Sequence, residues 1–198
     1  MSINSIVETK KIGKDFILGE FSIIRDCVII GDNTEIREHC IIGSKPFTFS
    51  DFSTIERKKL TQMGKVIIGN SVYISCFVNV SMGSTEDTII EDYVIMNAYC
   101  MLGHDVHIHR NAQLMNGIII CGYGAVGENT YIGAGTIVRN RVHIGKNSVI
   151  GMGSNVVKDI PDGVVAYGNP CVVIENNEPN SVHSIVKRVT KKAERMLR

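Results

Sequence analysis

The sequence predicts an all-β chain wound as a parallel β-helix, on three observations. Stepping six residues at a time from Ile90 meets Met96, Leu102, Ile108, Leu114, Ile120, Val126, Ile132, Val138, Ile144, Ile150 and Val156, an unbroken apolar series. Neither a helical period of 3.6 nor a strand period of 2 holds phase this way. A hexad accommodates one short strand and one corner, and three hexads close a triangular coil. Secondly, the residue after the apolar one is often glycine (Gly103, Gly127, Gly133, Gly145, Gly151), as a corner without room for a Cβ demands. Thirdly, a small or branched residue usually follows four positions after the apolar one: Val94, Ala112, Thr130, Thr136, Val142, Ser148, Ser154.

Taken in order, residues 1–11 are expected to form a polar cap over the open first coil, whose strand edges would otherwise be unpaired. Ile12, Leu18, Ile24, Ile30, Ile36 and Ile42 then supply about two coils. The period fails over residues 44–65, a stretch with three Phe, one Pro and mixed charge. A long break inside a compact domain marks an excursion over a cleft or a neighbouring subunit. The period resumes at Ile68, Ile74 and Val80, fails again over the short polar stretch 81–88, and restarts at Ile90. Beyond Val156, Pro161-Asp162-Gly163 predicts a turn and residues 164–174 an apolar strand. The tail carries Val182, Ile185, Val186, Val189, Ala193, Met196 and Leu197 at helical spacing, with Lys187, Arg188, Lys191, Lys192 and Arg195 opposite. The expected division is therefore a β-helix domain over residues 1–174, and a linker with a C-terminal capping α-helix over 175–198.

Composition bounds the partners. Of 198 residues, 44% are hydrophobic and the formal net charge is +1, which argues against nucleic acid or an anionic membrane as the main partner. The six cysteines form no CxxC pair and no zinc spacing, and five fall within hexad runs, where a thiol simply packs. With no apolar leader after Met1 and no apolar run long enough to span a membrane, a reducing, cytoplasmic setting is expected.

The hexad pattern resembles the hexapeptide-repeat acyltransferases, which implies a left-handed coil and a homotrimer. The segment from Asp159 through Gly168-Asn169-Pro170 to an apolar strand is similar to the end of the helix in coenzyme-A-dependent members, and Met152-Gly153-Ser154 strengthens that likeness. Gly103-His104-Asp105-Val106 resembles the catalytic segment of the lipid A acyltransferases and the nucleotide-sugar N-acetyltransferases. The resemblance implies His104 as general base, with Asp105 or Asn97 assisting. Imidazole suits that task because its ordinary pKa lies near neutrality. Breaks upstream of the catalytic His also resemble the lipid A enzymes, and Asn97, Glu86 and Asp87 are candidate acceptor-binding groups.

Spacing adds a check of its own. Stepping three hexads at a time from His104 meets Gly122, Asn140 and Lys158, one per coil along one edge. With coils about 4.8 Å apart, Lys158 would stand on the order of 14 Å from His104, roughly the reach of a pantetheine arm. An acyl-CoA lying there would place its thioester near His104 and its phosphates near Lys158, with Gly122 leaving room. Gly122, Asn140 and Lys158 by this spacing, with Gly153, Ser154, Asn169 and Pro170 as the resemblance implies, are the candidate cosubstrate-binding residues. His104 and His109 share the H-x4-H spacing of γ-class carbonic anhydrase-type repeats, but position 68 is Ile and no His lies between His39 and His104, so no metal is expected.

The resulting expectation is acyl transfer from acyl-CoA to the amino group of a nucleotide-linked amino sugar, in a trimer whose sites are shared between subunits. Transfer to a sugar hydroxyl and a non-catalytic scaffold are the two alternatives.

Overall fold

The computed structural model describes residues 4–46 and 63–177. Within them the chain is a three-faced solenoid of short parallel strands. Face A is eight strands deep and runs from Ile6–Val7 to Asn155–Val156. Face B is six strands deep, from Val28–Ile30 to His143–Ile144, and is lengthened by bridges Ile12 to Ile30 and Ile144 to Ile160. Face C starts at Ile17–Leu18 and ends in Val164–Gly168 and Cys171–Asn176.

Register explains the hexad. Leu102 pairs with Ile120, and Ile120 with Val138, each partner lying three hexads further along the chain. Every apolar residue of the long series points inward and stacks on its equivalent in the next coil. Leu102, Ile108, Leu114, Ile120, Val126, Ile132 and Val138 all have no accessible surface. The hydrophobic effect therefore acts along one continuous column, each residue contributing about 1.5–3 kcal/mol by its burial.

The corners are made by single residues in left-handed backbone. Asp15, Asn33, Asn111, Asn129 and Asn147 take this conformation between faces B and C, with φ of 54–58°. Asparagine and aspartate are the L-residues that tolerate it best. The glycine after the inward residue has a different job. A Cβ on Gly103 would lie 2.7 Å from the amide nitrogen of Gly122 in the next coil, so glycine is needed there for the approach of two backbones.

Two expectations need correction. Residues 4–11 are not a cap: Ile6–Val7 pairs in parallel with Ile23–Ile24 and is already part of face A. Residues 164–174 are not one apolar strand either, but parts of two. Val164–Gly168 adds in parallel to Val149–Ile150, and Cys171–Asn176 then folds back antiparallel on it through Asn169-Pro170. This hairpin ends the run of parallel edges. Strand Cys171–Asn176 carries the described chain past residue 174. The predicted C-terminal helix lies outside the described residues, as do residues 47–62 of the first break.

Both breaks leave the coil at one corner, the ridge from face A to face B. Val80 pairs with Leu102 and Ile90 with Ile108, so four extra residues are inserted at a corner that needs only one hexad in the next coil. The longer break departs after Ile41–Ser44 of face A and returns at Val66–Ile68 of face B, on the same ridge one coil earlier. The two are tied at their feet. Ser44 Oγ donates to Asn79 Oδ1 (2.8 Å), the Met82 amide donates to the Ser44 carbonyl (2.9 Å), and the Lys65 amide donates to Asp87 Oδ1 (2.6 Å).

Candidate active site

His104 and Asp105 form the next corner of that ridge, directly beneath the four-residue excursion. Asp105 adopts left-handed backbone (φ 56°), which turns its carboxylate under Ser84-Thr85-Glu86. There it accepts from the amides of Ser84 (3.0 Å), Thr85 (2.8 Å) and Glu86 (2.6 Å), and from Ser84 Oγ (2.5 Å). Burial alone would raise its pKa. The hydrogen bonds from Ser84, Glu86, Thr85 and His104 outweigh burial and hold it well below the usual carboxylate range. Asp105 is thus a fixed anion whose side chain has no accessible surface.

That anion sets the imidazole. His104 Nδ1 lies 2.6 Å from Asp105 Oδ2. An ionised carboxylate only accepts, so Nδ1 is the donor, and in the neutral ring the lone pair lies on Nε2. The ring lies over Gly122: a Cβ there would come within 2.7 Å of Cε1 and Nε2. Gly122 therefore makes room for the imidazole itself. Tyr123 meets the ring edge-on, 5.0 Å between centroids, and its hydroxyl lies 3.2 Å from Ser84 Oγ and 3.3 Å from Thr85 Oγ1. The His104 side chain remains 23% exposed, so a substrate can reach it.

The four residues predicted on one edge do share it. The Tyr123 amide donates to the His104 carbonyl and the Arg141 amide to the Gly122 carbonyl, while Val138 and Val156 keep the register up to Lys158. Beyond Gly122 the ridge is basic, with Arg139, Arg141 and Lys158 all exposed. Arg141 places its guanidinium 4.3 Å from the Tyr123 ring centroid.

Other candidates fall elsewhere. Asn97 lies on the ridge between faces C and A, where its amide donates to Met115 Sδ (3.3 Å). Gly153 and Ser154 lie on that same ridge. Ser154 is buried, donates to the Gly151 carbonyl (2.6 Å) and accepts from the Gly168 amide beside Asn169-Pro170. Gly153, Ser154, Asn169 and Pro170 thus border the far side of face A from Lys158. Glu86 reaches the site through its amide, and Asp87 anchors the loop foot at Lys65. Ser84, Thr85, Tyr123 and Arg141 were not singled out from sequence. The first two sit where the hexad phase is lost. Tyr123 lies one coil on from Asp105, and Arg141 one coil on from Tyr123, so the step that gave Gly122 and Asn140 could have found both.

The fold is thus a parallel β-helix of hexapeptide repeats, with a His–Asp pair on the ridge that bears both excursions. The chain matches the bacterial transferase hexapeptide (six repeats) family over residues 9–44 and 125–158. It is 35% identical over 147 residues to a galactoside O-acetyltransferase of Lactococcus lactis, covering 71% of this chain and 61% of that one. It is 33% identical over 109 residues to an acyl-[acyl-carrier-protein]–UDP-N-acetylglucosamine O-acyltransferase of Stutzerimonas stutzeri, covering 54% and 42%. The chain thus spans at most 61% of the length of these two curated relatives. The crystal structure of a UDP-N-acetylglucosamine acyltransferase from Bacteroides fragilis superposes over 89% of this chain and 74% of its own with a TM-score of 0.73 at 21% identity. That likeness extends to the sense of winding, and the coil is left-handed.

Proposed function

We propose that the protein transfers an acyl group from a pantetheine thioester to a sugar hydroxyl, with His104 as general base. The observation that carries this reading is the His104–Asp105 pair, with Nδ1 tied to a buried anion and Nε2 free over Gly122. The acceptor hydroxyl gives its proton to Nε2 as its oxygen attacks the thioester carbonyl. Asp105 stabilises the imidazolium that results. The tetrahedral intermediate then expels the thiolate, which takes the proton back from Nε2 and leaves as the free thiol. Acyl-CoA fits the basic stretch Arg139, Arg141 and Lys158, which would meet its phosphates.

The site favours a hydroxyl over the amino group expected from sequence. A neutral amine attacks with its own lone pair, whereas a hydroxyl needs a positioned base. The relatives, a galactoside O-acetyltransferase and a UDP-N-acetylglucosamine O-acyltransferase, support the same choice. A nucleotide-linked sugar remains the acceptor class, since the Stutzerimonas relative is named for one.

The protein works as a homotrimer in this reading. Face A carries an outward apolar row, Ile6, Ile41, Met101 and Ile137 among them, each 36–53% exposed. The ridge with His104 borders this face, so a second copy packed there supplies the other wall of the groove. Sedimentation tests that assembly.

The function is tested with acetyl-CoA and longer acyl-CoA donors against galactosides, UDP-N-acetylglucosamine and nucleotide amino sugars, reading free thiol and product mass. An acyl ester, cleaved by mild base, is the expected product. A base-stable amide would restore the N-acyl reading. Absence of turnover together with no rise in Tm on adding coenzyme A would support a scaffold instead.

A further inference from the structure

On face B, which begins just after the His104–Asp105 corner, three metal-ligating side chains converge from two adjacent coils. Glu91 follows strand Thr88–Ile90, and His107 and His109 begin and follow strand His107–Ile108, which pairs with it. His107 Nε2 lies 2.7 Å and His109 Nδ1 3.0 Å from the same oxygen, Glu91 Oε1. The two imidazoles stack at 3.9 Å. Among the described residues, this is the one group of three or more His, Cys, Asp or Glu side chains with ligand atoms all within 4.8 Å of one another.

We propose that Glu91, His107 and His109 bind one divalent transition-metal ion, with zinc the best match. Two imidazole nitrogens and one carboxylate oxygen form a donor set of the kind zinc accepts. With bonds of about 2.0 Å, tetrahedral zinc holds its ligand atoms roughly 3.3 Å apart. The two nitrogen-to-Glu91 Oε1 separations, 2.7 and 3.0 Å, need to open by roughly 0.3–0.6 Å to reach that spacing. The ion takes the place now held by the hydrogen bonds to Glu91 Oε1, each imidazole binding it through the tautomer whose proton sits on the other ring nitrogen.

The surroundings support the assignment. Glu91 Oε2 is held by the Arg110 amide at 3.0 Å, which orients the carboxylate and leaves Oε1 to the ion. All three side chains are 36–39% exposed, so an ion can enter and keep an open coordination position for water or an anionic group. The next outward residue along face B after His107 is Ala125, which leaves space on the C-terminal side, and His143 follows one coil further. His143 is two coils from His107, about 9–10 Å, too far to be a ligand. The alternative, a metal-free hydrogen-bonded triad, uses the same distances but takes up no ion. Cross-linking two coils also predicts that the ion stabilises the fold.

Isothermal titration of the chelator-treated full chain with zinc tests this, alongside Tm with and without zinc. One zinc per chain is expected, with a rise in Tm. His107→Ala and Glu91→Gln should each weaken binding by about 100-fold or more and abolish the Tm rise. His143→Ala should change neither. Cobalt should give a visible d–d spectrum that His109→Ala removes. Since all these side chains face outward, the metal-free variants should keep the wild-type Tm, which separates lost binding from lost folding. No stoichiometric uptake by the wild type, or uptake that survives His107→Ala and Glu91→Gln, would overturn the proposal.

Discussion

The imidazole of His104 lies over the α-carbon of Gly122 in the following coil, close enough that a methyl group there would sit 2.7 Å from Nε2. Gly122 is not among the residues with positive φ, so its backbone would accept alanine. Gly122→Ala should therefore leave Tm nearly unchanged but displace the imidazole. A misplaced base costs roughly 100-fold in rate. Steady-state kinetics beside a thermal melt check this.

Asp105 makes the corner sensitive to acid. Its folded pKa is depressed below the unfolded value of about 3.9. The stability it contributes is therefore fully present above that pH and is lost as pH falls through the folded value. Asp105→Asn should lower Tm at pH 7, because the Ser84, Thr85 and Glu86 amides lose their anion. It should also flatten the fall in Tm below about pH 4. Melts of both proteins across pH 2–7 measure the difference.

Ser84 links the excursion to the pair through Asp105 Oδ2 and lies 3.1 Å from His104 Nδ1. Ser84→Ala removes a hydrogen bond to a charged group and should cost about 1.5–3 kcal/mol of stability. Chemical denaturation gives that value. If Ser84 also helps to seat the pair, kcat falls with little change in KM.

On the ridge between faces C and A, Phe21, His39, Phe77 and Tyr99 form a ladder of rings 4.8–5.1 Å apart. All four take left-handed backbone, with φ of 59–64°. Stacking, at about 0.5–1.5 kcal/mol per pair, offsets a backbone cost of about 1–2 kcal/mol per residue. Phe77→Ala should lose both stacks and keep the strained backbone. Phe77→Gly loses the stacks but relieves the backbone, so it should be the less destabilising change by urea denaturation.

The column of Ile, Leu and Val was legible in the sequence because a period of six has one structural solution: each such residue is buried, and each pairs with its equivalent in the next coil. The same arithmetic placed Gly122, Asn140 and Lys158 on the ridge of His104. It would also have shown that Asn97, Gly153 and Ser154 belong to another ridge. Likewise Glu91 and His109 hold equivalent places in successive coils, so that step could have paired them. Ser84 was hidden for a physical reason: it lies in the four extra residues, where no period constrains the backbone and only the amide bonds to Asp105 set the path.

The most direct test is the turnover of His104→Ala with an acyl-CoA donor and a sugar acceptor, once a turned-over pair is found. Loss of the base should lower kcat by about 100-fold or more while coenzyme A still raises Tm. A His104→Ala enzyme that turns over at the wild-type rate would contradict the account.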